Sequence, residues 1–193
     1  MITKPMVAIG FAAALALAGS AQAQTTAPSS GAMSKPAASQ QKLSKADQNF
    51  LKEAIQGDLA EVQMGQLAQQ KGQADDVKQF GQMLQQDHGQ HLTQAQQLAQ
   101  QNGMTAPTEP PAEAKKMHDK LSKMSGAQFD KAFAKDMVSD HKKDIAKYQK
   151  EAKGNGPLAQ FAQQTLPVLQ KHLQTAQSIE NKGAAVGSKA GAK

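Results

Sequence analysis

From Ser44 to about Asn181 the apolar residues recur every three or four positions and do not alternate in twos. That spacing predicts amphipathic helices and no strands. Phe50, Leu51, Ala54, Ile55, Leu59, Val62, Leu67 and Ala68 mark a first helix, opened by a capping box at Ser44-x-x-Asp47 and closed at Gly72. A second starts near Asp75 and Asp76, acids that suit a helix N-terminus, and carries Val77, Phe80, Leu84, Leu92, Ala95, Leu98 and Ala99 on one stripe. Asn102-Gly103 stops it. Pro107, Pro110 and Pro111 mark a break, and Ala112 to Met124 follows as a short helix. Ser125-x-x-Gln128 reads as another capping box, opening a helix through Phe129, Phe133, Met137, Ile145 and Tyr148. After the Gly154-Asn155-Gly156 turn, Pro157 suits a first helical position. The last helix carries Leu158, Phe161, Ala162, Leu166, Leu169, Leu173, Ala176 and Ile179, with Pro167 inside it. The prediction is an all-α, antiparallel four-helix bundle with one short extra helix between the second and third long ones. Helices of about 25 residues span roughly 38 Å.

Four ionisable residues interrupt these stripes, one per long helix: Glu61, His88, His141 and His172. Glu61 lies 11 residues before Gly72 and His88 lies 16 after it; His141 lies 14 before Asn155 and His172 lies 17 after it. The mismatches are roughly 7 and 4.5 Å along the axis, so the four can share one layer. A buried Glu and three buried His must be hydrogen-bonded, paired or metal-bound. Three imidazoles and a carboxylate make a candidate first shell for a divalent zinc, copper or iron ion. The competing reading is a metal-free polar layer that fixes helix register. Asp87 and Asp140 each precede a stripe His but point about 100° away around the helix, which suits contacts behind the ligands or solvent better than direct ligation. His91 can join a site edge, and His118 reads as surface.

Composition narrows the function classes. The chain has 193 residues, a net charge of +6 and no Cys, which excludes disulfides, thiolate metal sites and a Cys nucleophile. All 22 basic residues are Lys, dispersed along the helices, and Tyr148 is the only Tyr. Without Arg forks or aromatic platforms, nucleic acid is not an expected partner. The dispersed charge allows weak association with anionic envelope surfaces, and a protein partner is left open.

The N-terminus reads as an export leader. Lys4 precedes the apolar run Val7 to Ala18, and Ala21-Gln22-Ala23 fits a signal-peptidase site. The run is too short for a membrane span, so no transmembrane anchor is expected after cleavage. The expected organisation is a signal peptide over 1–23, a disordered linker over 24–43, the bundle over 44–181 and a disordered tail over 182–193. A periplasmic or secreted location follows.

The motifs Asp47-x-x-Phe50-Leu51, Glu61-x-x-x-Gly65-x-Leu67-Ala68, Val77-Lys78-x-Phe80-x-x-Met83, Asp87-His88, Phe129-Asp130, Met137-x-x-Asp140-His141 and Leu166-Pro167-x-Leu169-x-x-His172-Leu173 span Asp47 to Ile179. In them the chain resembles the bacterial secreted family catalogued as domain of unknown function 4142. That family is often labelled as outer-membrane proteins and placed among ferritin-like bundles. The resemblance implies a ferritin-like fold and no assigned activity. It would also suggest a di-iron carboxylate site, but Gln85, Val138 and Leu169 stand where Glu-x-x-His motifs need Glu. No Ser-His-Asp elbow, phosphate loop or HExxH motif is present. The sequence therefore favours a metal-binding bundle over an enzyme. The alternative is a non-enzymatic envelope stress or interaction protein with a purely structural polar layer.

Overall fold

The computed structural model describes residues 43–190, and side chains as far as residue 183. The expected leader and nearly all of the expected linker lie outside the described residues. Five helices form: α1 (Lys45–Lys71), α2 (Asp75–Gln101), α3 (Ala112–Ser122), α4 (Gly126–Glu151) and α5 (Pro157–Ala190). All five belong to one compact unit. Among the described residues there is no strand, and no helix is long and apolar enough to cross a membrane.

The ends of the helices show what starts them. The Ser44 hydroxyl accepts from the Asp47 amide, and the Asp47 carboxylate accepts from the Ser44 amide, both at 3.1 Å, completing the predicted capping box. The second predicted box does not form. Ser125 is the N-cap of α4 in extended backbone, but its side chain makes no capping bond. The start of α4 is tied down differently, since Asp130 accepts from the backbone amides of Gln73 and Ala74, each at 2.9 Å. One carboxylate thus holds two free amides at the start of α2 and pins α4 to the α1–α2 turn. The sequence reading also closed the folded unit near Asn181, whereas α5 runs on to Ala190.

That Asp130 contact fixes the topology. α2 and α4 begin at the same end of the bundle, so they run parallel, and the segment over 102–125, with α3 in it, returns along the bundle's length. Two antiparallel hairpins, α1–α2 and α4–α5, are thereby joined by one long crossover, as in ferritin-like bundles. α2 packs beside α5, α1 beside α4, and α3 lies against α1. The α1–α2 hairpin is unusually close at Gly65 and Gly81. A Cβ on Gly65 would stand 2.5 Å from the Gly81 carbonyl oxygen, and one on Gly81 would stand 2.6 Å from the Gly65 oxygen. Only hydrogen fits between these backbones.

The core is in two parts. Toward the α1–α2 turn, Leu67, Val77, Phe80, Phe129, Phe133, Met137 and Ile179 pack together. Toward the other end, Phe50, Leu51, Ile55, Ala99, Tyr148, Leu158 and Phe161 do the same. Each large apolar side chain fully buried contributes roughly 1.5–3 kcal/mol. Between the two clusters lies a layer of buried polar residues: Asp58, Glu61, His88, His141, Thr165 and His172. The apolar blocks above and below position this layer.

Candidate metal centre

All four residues predicted to interrupt the stripes are buried at mid-bundle, with Glu61, His88, His141 and His172 between 0% and 5% exposed. The structure brings three of them together. One ring nitrogen from each of His88, His141 and His172 lies within 4.8 Å of the others. Glu61 reaches the layer but stands outside this trio. Its Oε1 is 3.9 Å from His141 Nδ1, beyond hydrogen-bond length, and its Oε2 has no partner. It faces the edge of His141 that points away from the cluster.

The hydrogen bonds assign the protons. His141 Nδ1 donates to the Met137 carbonyl at 3.0 Å, so its Nε2 carries a lone pair. His172 Nε2 donates to Asp87 Oδ2 at 2.9 Å, so its Nδ1 carries another. His88 Nδ1 donates to Asp58 Oδ1 at 2.8 Å, leaving Nε2 buried with no partner. His141 Nε2 and His172 Nδ1 face each other at 3.3 Å. Two lone pairs cannot bond to each other at that distance. It matches the edge of a tetrahedron of nitrogens about 2.0–2.1 Å from a zinc ion, which is about 3.3–3.4 Å.

Asp58 is the residue that sequence reasoning missed. It is 3% exposed, and its second oxygen accepts from His91 Nδ1 at 2.7 Å. The carboxylate therefore clamps two imidazoles of α2. His91 sits at the edge of the site, stacked on Phe161 with ring centroids 4.3 Å apart, and its Nε2 is 2.7 Å from the Thr165 hydroxyl. The signal was present in the turn arithmetic: Asp58 lies 14 residues before Gly72 and His88 lies 16 after it, a closer match in height than Glu61 gives. Asp87 plays the supporting part expected of it, toward His172 of the neighbouring helix. Asp140 instead faces solvent and pairs with Lys143. His118 is partly exposed on α3.

Burial dominates the electrostatics. It holds His141 down at about 3, with His88 and His172 adding to the effect. It brings His172 to about 4, helped by His88 and opposed by the Asp87 bond. For His88 burial again opposes protonation, but the Asp58 bond and the nearby Glu61, Asp58 and Asp144 carboxylates together outweigh it and raise the ring. Burial pushes Glu61 up to about 8, against the pull of His88. Glu61 is thus a neutral acid at pH 7 in the metal-free protein. Its unfolded value is 4.5, so folding stability falls as pH rises from about 4.5 to 8. Glu61→Gln is expected to remove that slope in urea titrations of metal-free protein. At pH 8 the variant should be the more stable, by at most about 5 kcal/mol. Parallel pH profiles for the two proteins would show that Glu61 ionises freely.

Fold and layer together define a helical bundle with a trio of imidazoles at its centre. The chain belongs to the family described as domain of unknown function (DUF4142), which it matches over residues 32–179. No curated protein matches the sequence. Among solved structures, a crystal structure of a DUF305 fragment from Deinococcus radiodurans is similar in fold, with a TM-score of 0.66. The two are 13% identical, over 74% of this chain and 99% of that one.

Proposed function

We propose that this protein binds a divalent transition-metal ion through His88, His141 and His172, in the cell envelope. One observation carries the reading. Each of the three rings gives its outward N–H to a fixed acceptor, which turns its second nitrogen inward toward the other two. Outer acceptors of this kind orient metal-bound imidazoles and set their tautomers. A purely structural layer has no reason to leave His88 Nε2 unpartnered, since buried polar atoms find hydrogen bonds. The all-nitrogen donor set suits zinc, copper or iron(II) and disfavours calcium and magnesium. The supporting carboxylates, Asp58 and Asp87, suit a cation between them.

The envelope location rests on the leader pattern of Lys4, Val7 to Ala18 and Ala21-Gln22-Ala23. Glu61 serves as a neutral buried acid behind His141 and gives no ligand. No reaction is assigned; the reading is of a binding protein. Elemental analysis of mature protein purified without a chelating tag tests it. About one equivalent of zinc, copper or iron per chain is expected, and near zero in a His88→Ala, His141→Ala variant. Equal, near-zero metal in both would end the proposal.

A further inference from the structure

The face between α2 and α5 is cut by a cleft of about 170 Å³. His88 and His172 line it, and His141 does not. Its walls carry the His91–Thr165 pair, and Gln164 and Val168 also line it. Val168 is the exposed large apolar residue of the described chain, at 36%. Two of the three imidazoles thus meet the cleft, and one of their nitrogens, His88 Nε2, is buried without a partner. Among the described residues no fourth side chain joins the trio, and the Glu61 carboxylate lies 3.9 Å from His141 Nδ1.

We propose that the centre keeps one coordination position open toward the α2–α5 cleft and takes a small exogenous ligand there, a monoanion or water. This rests on the metal reading above and makes the centre an open site rather than a closed structural one. Three neutral imidazoles leave a divalent ion's charge uncompensated among its direct ligands, which favours an anion as the fourth. Size agrees, because the cleft is well below the roughly 300–1,000 Å³ of sites for drug-sized molecules. Its walls also suit a small polar guest. The Thr165 hydroxyl has one proton and two neighbours, the Phe161 carbonyl at 2.8 Å and His91 Nε2 at 2.7 Å. His91 Nδ1 already donates to Asp58, so the neutral ring has only a lone pair at Nε2 and the Thr165 proton is drawn to it or to the Phe161 carbonyl. The Thr165 oxygen therefore keeps a lone pair that can accept from a bound water.

The test loads the mature protein with cobalt(II), whose visible spectrum reports its ligands, and titrates it with azide. A saturable change with one azide per cobalt is expected. Val168→Trp, which fills the cleft mouth and touches no ligand ring's hydrogen bond, should weaken azide at least about ten-fold with cobalt content unchanged. Bound cobalt with a spectrum indifferent to saturating azide would overturn the open position and leave the metal reading standing. An azide response undiminished in Val168→Trp would overturn the route through this cleft. Failure to bind cobalt, zinc or copper at all would remove the metal reading and this inference with it.

Discussion

Zinc added to metal-free protein is expected to raise its unfolding temperature by about 6–10 °C when free zinc exceeds the dissociation constant a hundredfold. That ratio corresponds to about 2.7 kcal/mol, and for a domain of this size each kcal/mol shifts the midpoint by roughly 2–4 °C. The His88→Ala, His141→Ala variant should show no shift. The dissociation constant itself is expected to be low because the rings are held in place beforehand by Asp58, the Met137 carbonyl and Asp87, so little ordering accompanies binding. The pH dependence is also specified. A bound ion needs all three lone pairs. His141 at about 3 and His172 at about 4 already have theirs at neutral pH, whereas His88 is raised and holds a proton more tightly. Affinity should therefore fall about ten-fold per pH unit below the His88 value, as one proton competes, and more steeply only near pH 4. A three-proton slope starting at pH 6.5 would contradict the assigned tautomers. Thermal scans against zinc concentration at several pH values read both effects.

The second large effect belongs to Asp58. Asp58→Leu leaves the Nδ1–H groups of His88 and His91 without their acceptor in a buried layer. Breaking such a pair is expected to cost about 3–5 kcal/mol of stability, and loss of a ligand's outer partner about 10–100-fold in metal affinity. Asp58→Asn keeps one acceptor oxygen and should cost less on both counts. Asp140→Asn is the contrast. Asp140 precedes a stripe His, as Asp87 does, but it is 42% exposed and pairs with Lys143, so neither quantity should move measurably. Urea unfolding and competition with a chromophoric chelator separate the two readouts. Equal behaviour of the Asp58 and Asp140 variants would mean that the Asp58 clamp does not support the site.

Much of this architecture was legible in the chain because helical periodicity is strong where one face is apolar. The four long helices, the Ser44 box and the burial of the three His follow from spacing alone. The parts that were not legible share a cause, since each depends on a neighbour that spacing along one helix does not specify. Asp58 lies four residues after Ala54 on the same stripe, yet in the sequence Glu61 reads as the residue that interrupts it and takes the ligand role. Only the height of His88 across the turn distinguishes them. Asp87 turns to His172 because α5 packs beside α2, a consequence of the crossover. Asp130 of α4 likewise reaches across to the α1–α2 turn, a contact that spacing along α4 does not specify. Glu61 illustrates the converse. It was placed correctly in depth, but its carboxylate lies 3.9 Å from His141 Nδ1 and is not one of the three clustered donors.

X-ray absorption at the zinc edge of loaded, mature protein addresses the central claim most directly. The account predicts a nearest shell near 2.0 Å that includes about three imidazole nitrogens plus one further oxygen or nitrogen donor, lost on mutation of His88 and His141. A shell made of oxygen alone, or a spectrum that is the same in the double variant, would contradict it.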